Sequence, residues 1–255
     1  MNNFKPTNQE RRFKAYVSIF GISQFHLQNP YIIAWWSAAF PGFGHILLSK
    51  YLRAFALIIW EVLLNNMANI NHAIIYSFTG NFDMAKAVLE PKWMLLYLPV
   101  YIFTIWDSYR TTVDMNKITI LAEREDANFN SFAIGSLEIN YLDKRSPLMA
   151  VVWSLFTPGL GQLYTHRIIS AIITLSFMII FVYFSNVLLA IHFLFSGNIE
   201  QATEVIDPQW FLFIPSQIGF AVYASYVNTV EDNKLYEKEQ RKFLKENYQQ
   251  YRVKI

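Results

Sequence analysis

Glu61, Asn65, Asn69 and His72 are spaced by steps of four, four and three within an otherwise apolar stretch. That spacing puts all four on one face of a helix. A carboxyl group inside a membrane helix costs on the order of 2.5–3.5 kcal/mol on insertion scales, so it calls for a partner or a task. One reading is a hydrated polar track in which Glu61 exchanges a proton or holds a cation, with His45 or the asparagine row as its partner. The other is hydrogen-bond glue between helices, about 0.6 kcal/mol per contact. A second pair, Asp107 and Arg110, lies three residues apart, close enough to form an interfacial ion pair or a headgroup clamp with Tyr109.

Other chemistry finds little support. The five histidines show no metal-helix spacing, and His45 is the only one beside a backbone break. Ser37 and Ser154 lack a nucleophile elbow, and no glycine-rich loop carries a phosphate-binding lysine. The chain has no cysteine, which excludes disulfides and thiol nucleophiles. A net charge of +2 without a basic stripe argues against nucleic acid. No catalytic set, metal or cofactor is expected, and a lipid-modifying enzyme would lack its paired nucleophile and base.

The elements that position these residues are hydrophobic. Of 255 residues, 54% are hydrophobic and only 16% charged, against about 25% charged in a typical soluble domain. Ile168 to Phe195 contains no Asp, Glu, Lys or Arg, and it exceeds the ~18 residues that flag a membrane span. An all-α integral membrane protein is expected. Met1 to Lys14 is polar and basic, so no secretory signal is expected there and the first span must direct insertion.

The chain also repeats itself. Trp36-Ser37-Ala38-Ala39-Phe40-Pro41-Gly42-Phe43-Gly44-His45 returns as Trp153-Ser154-Leu155-Phe156-Thr157-Pro158-Gly159-Leu160-Gly161-Gln162. Further on, Gly80, Asn81, Pro91 and Trp93 meet Gly197, Asn198, Pro208 and Trp210. A fixed offset of this kind marks a tandem duplication. Five regions follow: a basic interfacial leader (1–29), a first membrane repeat (30–117), a linker (118–146), a second repeat (147–230) and a charged helical tail (231–255). The leader reads as lying on the cytoplasmic membrane surface, with a disordered leader as the alternative. The tail's Tyr236, Phe243, Leu244, Tyr248 and Tyr251 are spaced for one helix face, and Ile118–Leu121 and Leu137–Tyr141 are strand candidates.

Each repeat divides into a Pro-Gly-broken segment a and two apolar segments, b and c: Tyr31 to Leu48, Ala54 to Phe78 and Trp93 to Thr112 in the first, Leu148 to Thr165, Ile168 to Phe195 and Trp210 to Asn228 in the second. If a and a′ crossed the membrane, Lys50, Arg53, Arg110, Lys117, Arg124, Lys144 and Arg145 would lie outside. If they dip in and return, only Lys86 and Lys92 do. The positive-inside bias selects the second arrangement. It gives two parallel repeats, each with one re-entrant or interfacial segment and two transmembrane helices, four spans in total, with both termini and the linker cytoplasmic. Proline removes a helical hydrogen bond and glycine lets the chain turn, so Pro41, Gly42, Gly44, Pro158, Gly159 and Gly161 supply the break. Backbone broken at membrane depth must be covered, so a and a′ are expected against helices b and c, facing one another.

The string Phe156-Thr157-Pro158-Gly159-Leu160-Gly161-Gln162-Leu163-Tyr164, with Trp106-Asp107-Ser108-Tyr109-Arg110-Thr111 closing the first unit, resembles uncharacterised small bacterial multi-pass proteins with a Pro-Gly-x-Gly-Gln-x-Tyr box. More distantly it is similar to the TM2-domain superfamily. The first repeat departs at His45 and Leu47, and the second closing box has Ala224 for aspartate. The resemblance implies a bacterial cytoplasmic membrane location and no catalytic residues. Two functions are weighed: a non-enzymatic scaffold or accessory subunit that holds a protein partner through the linker and tail, and a small transporter or channel-like protein built on the polar track. The bilayer is the expected partner in both, and a pathway in so small a protein would call for a homo-oligomer.

Overall fold

A computed structural model describes residues 12–248. A leader hairpin, β1 (Ala15–Ser18) and β2 (Gly21–Gln24), precedes six helices: α1 (Pro30–Ala39), α2 (Phe43–Leu47), α3 (Tyr51–Ala68), α4 (Ile70–Phe78), α5 (Phe82–Val88) and α6 (Pro91–Glu125). A linker hairpin follows, β3 (Phe132–Ile134) and β4 (Ile139–Tyr141). The chain ends in α7 (Pro147–Phe156), α8 (Leu160–Tyr164), α9 (Ile168–Phe184), α10 (Val187–Phe195), α11 (Ile199–Val205), α12 (Pro208–Phe211) and α13 (Phe213–Tyr248). Pro30 and Pro147, Phe43 and Leu160, and Ile70 and Val187 each open corresponding helices 117 residues apart.

Local chemistry explains these starts and stops. Proline occupies the first turn of α1, α6, α7 and α12, where its missing N–H is not needed. Asn29 accepts the Tyr31 N–H at 2.9 Å, and Ser146 accepts that of Met149 at 3.4 Å. α1 stops where Phe40 becomes extended, and Gly42 turns at φ +103°. A Cβ on Gly42 would stand 2.7 Å from the Ala54 carbonyl, so the turn needs glycine both for its dihedral and for the close passage of α3. Gly44 has a different role. A Cβ there would overlap Ser37 Oγ and stand 2.6 Å from the Ile33 carbonyl, so α2 lies folded back along α1. The return brings the Leu47 carbonyl to the Gln28 side chain at 3.5 Å.

Segments b and b′ are not the continuous helices expected. Asn69 (φ +55°) and Asn186 (φ +56°) adopt the left-handed conformation and break each one in two, with α9 and α10 meeting at 59°. Asparagine tolerates that conformation better than other non-glycine residues. The carbonyls freed by the breaks are reused: Glu90 N–H donates to Ala68 at 3.3 Å and Asp207 N–H to Ser185 at 3.1 Å. Segment c also differs, because α6 runs for 35 residues, about 52 Å, past the expected end at Thr112.

Taken together, α12 and α13 (Pro208–Tyr248) make one helical stretch long and apolar enough to cross a membrane, with a mean hydropathy of 1.3 in its best window. Two bent pairs, Phe82–Val88 with Pro91–Glu125 and Ile168–Phe184 with Val187–Phe195, reach that standard only as pairs. Leu95, Ile179, Leu188 and Phe195 are exposed on α6, α9 and α10, as residues facing lipid would be.

Aromatic packing joins the halves. Phe43 stacks on Phe220 with centroids 4.2 Å apart, and Phe40 meets Phe213 at 5.7 Å and Phe181 at 6.2 Å. The first broken segment is thus covered by α9 and α13 of the other half as well as by its own α6, whereas α7 packs on α13.

The soluble pieces differ most from expectation. Ile118–Leu121 is helical, part of α6, because Thr119 and Ala122 continue a buried helix face. β4 pairs instead with β3 in antiparallel register, Phe132 opposite Tyr141 and Ile134 opposite Ile139. Rather than lying as a surface segment, residues 15–24 of the leader form a β-hairpin. Ala15, Val17 and Ile22 pack there with Leu142 and Leu235 in a second small core. The tail continues α13 without a break; Tyr236 packs on this core, while Phe243, Leu244 and Tyr248 are exposed. Tyr251 and the leader up to Arg11 lie outside the described residues.

Candidate functional site

Four polar side chains meet where the two halves join near the α3–α4 break. Asn65 Nδ2 donates to Glu61 Oε1 at 2.9 Å and to Asn71 Oδ1 at 3.2 Å. Asn71 Nδ2 donates to the Gln209 carbonyl at 2.7 Å. Gln209 returns two bonds, to Asn65 Oδ1 at 2.8 Å and to the Asn65 carbonyl at 3.1 Å, and its Oε1 accepts the His72 N–H at 3.0 Å. Tyr97 of α6 lies beside the Glu61 carboxyl, whose Oε2 is buried without a hydrogen-bond partner.

Of the expected track, only Glu61 and Asn65 belong to this network by their side chains. Asn69 terminates α3 and donates to the Val88 carbonyl at 3.3 Å. His72 contributes its backbone, while its Nδ1 is buried without a hydrogen-bond partner. The one-face spacing holds only as far as the helix does, and the turn at Asn69 rotates the next residues away. Asn71 enters in their place. Gln209 and Tyr97 come from distant elements and leave no trace in local spacing. The nearest signal for Gln209 is an uncharged polar residue where the first unit has Lys92.

His45 does not reach Glu61. Its Nε2 lies 2.9 Å from Asp107 Oδ2, which also accepts from Arg53 Nη1 at 2.6 Å. Asp107 therefore does not pair with Arg110, whose guanidinium sits over the Trp106 ring at 5.3 Å. In the second half the same place is neutral: Ser154 Oγ donates to Ser225 Oγ at 2.8 Å beside Ala224, and both side-chain ends of Gln162 are buried without a hydrogen-bond partner. The glycines and prolines of both boxes shape the backbone and offer no functional group to a ligand.

A buried ion pair escaped notice in the sequence. Arg167 Nη2 donates to Asp232 Oδ1 at 2.9 Å, with side chains 5% and 8% exposed, and Gln24 Nε2 donates to the same oxygen at 2.7 Å. Burial pushes the Asp232 carboxyl above its usual range, against the pull of Arg167. Among the described residues no group of three His, Cys, Asp or Glu is placed to hold a metal.

Fold and sites together define a mostly helical protein with at least one helix of membrane-spanning length and a polar seam between its halves. No family model, curated protein or solved structure matches the chain.

Proposed function

We propose that this chain is a non-enzymatic multi-pass scaffold or accessory subunit of a bacterial cytoplasmic membrane. The observation that carries this is the closed seam: Glu61 and Asn65 are 4% and 3% exposed, Asn65 holds Glu61, and Gln209 of the opposite half bonds Asn65. A conductor needs those groups in water, whereas a seam that holds helices together needs them dry.

Four spans in two parallel repeats fit the packing of the soluble pieces. Asn140 of the linker donates to the Ser18 carbonyl at 2.8 Å, and Lys144 pairs with Glu237 of the tail at 2.8 Å. Leader, linker and tail in mutual contact lie on one side of a bilayer, so each half crosses an even number of times. The fold-back of α2 along α1 supports a re-entrant first segment. Positive-inside bias puts the shared side in the cytoplasm. There the 118–146 linker and the 231–255 tail present the surface for a protein partner.

Purified protein in proteoliposomes, under separate proton and potassium gradients, tests the reading. Leakage should equal that of empty vesicles. A flux that Glu61→Gln abolishes would make the protein a small transporter, with the seam as its gate.

A further inference from the structure

A cavity of about 650 Å³ lies under the leader hairpin, against the starts of α3 and α9 and the far end of α6. Four cations line it, Arg12, Lys14, Lys50 and Arg167, and among the described residues no Asp or Glu does. Three of the charges are balanced from outside the lining, by Glu125, Asp126 and Asp232. Lys50 has no acidic partner among the described residues, so of the four cations it is the one left without a carboxylate there.

Lys50 and Arg167 occupy the same position in the two halves, 117 residues apart, each capping the helix that follows. The duplication thus brings two equivalent cations to one chamber. Hydrogen-bonding capacity is also unspent there. Arg167 Nε, on a side chain 5% exposed, and Gln28 Oε1 are buried with no hydrogen-bond partner. A buried donor on a guanidinium without an acceptor is costly, and it fits an anion. An unspent amide oxygen fits a hydroxyl on the same ligand. The remaining wall is mixed: Ser23, Gln24, His26 and Asn228 add polar groups, and Leu48, Met115 and Ile118 form an apolar strip that continues the surface of α2 and α6. Volume and lining match a site for a small amphiphile held by a few polar groups.

We propose that this cavity binds a phosphate ester bearing a free hydroxyl, its phosphoryl group between Lys50 and Arg167 and its apolar arm along Met115 and Ile118. The inference is independent of whether the protein is a scaffold. Such a group belongs either to a membrane lipid or to a soluble metabolite, and the two sources share the same recognition chemistry.

Delipidated full-length protein in neutral detergent would be titrated with dihexanoyl phosphatidylglycerol, dihexanoyl phosphatidylcholine and glycerol 3-phosphate, alongside the Lys50→Glu variant. Lys50 has no acidic partner to lose among the described residues, and unfolding without ligand checks that the variant is intact. The phosphatidylglycerol probe should bind, more tightly than the zwitterion, and Lys50→Glu should weaken it by about tenfold or more. Binding without competition from glycerol 3-phosphate identifies a lipid source, and equal binding of glycerol 3-phosphate a soluble one. The proposal is overturned if neither anion binds, if the zwitterion binds as well, or if Lys50→Glu binds like the parent.

Discussion

Gln209 donates its side-chain amide to Asn65 Oδ1 at 2.8 Å, joining the start of the last helix pair to the middle of the first apolar segment 144 residues earlier. Removing one end leaves buried polar groups without partners. Asn65→Leu alone should therefore cost roughly 1–3 kcal/mol. Adding Gln209→Leu should cost less than the sum of the single changes, because both ends then become apolar. A double-mutant cycle of unfolding in mixed micelles measures this, and strict additivity would show that the two residues do not share a network.

The two glycines of each box differ from those in the outer turns. A Cβ at Gly161 would overlap Ser154 Oγ and the Ala150 carbonyl, whereas one at Gly80 would meet nothing within 4 Å. Gly161→Ala should lower the melting temperature sharply, with overpacking of about 1–3 kcal/mol or more. Gly80→Ala should cost only the strain of φ +78°, of order 1 kcal/mol. Equal losses at the two sites would contradict the close packing of α8 on α7.

The chain contains no cysteine, so single introduced cysteines report topology cleanly. Lys50→Cys and Asn130→Cys should react with an impermeant thiol reagent only in inverted vesicles, and Glu200→Cys only in intact cells. Reaction of Asn130→Cys in intact cells would mean an odd number of crossings before the linker and would end the four-span arrangement.

The Arg167–Asp232 pair is buried at both ends. Arg167→Met leaves a buried carboxylate without its cation and should cost about 3–5 kcal/mol, while Arg167→Met with Asp232→Leu should recover much of that loss. Denaturant unfolding of the three variants gives the comparison. A double variant no more stable than Arg167→Met would mean that the cost lies in packing and not in charge.

Where the sequence carried local information, it was readable. The Pro-Gly breaks, the proline-led helix starts and the offset of 117 all follow from residue types at fixed spacing. Asn69 and Asn186 stand 117 residues apart, but neither announces a turn, because an apolar run hides a single left-handed residue. Ile118–Leu121 misled for a related reason: four apolar residues suit a strand or a buried helix turn equally. Gln209, Tyr97 and Asp232 depend on contacts between distant elements, and spacing within one segment holds no record of them. Asp107 shows the same limit, since its neighbour on the helix lost it to Arg53 and His45.

Gln24 reaches Asp232 across 208 positions of chain. During synthesis the leader hairpin emerges long before its acceptor exists, and Ala15, Val17 and Ile22 stay uncovered until Leu142 and then Leu235 arrive. The cap can therefore close only after Asp232 and Leu235 have been made, and in the proposed four-span arrangement only when every intervening segment has been threaded with the right orientation. In that arrangement a product with one crossing missed would leave the hairpin bare, a mark by which quality-control proteases could distinguish it from the finished protein.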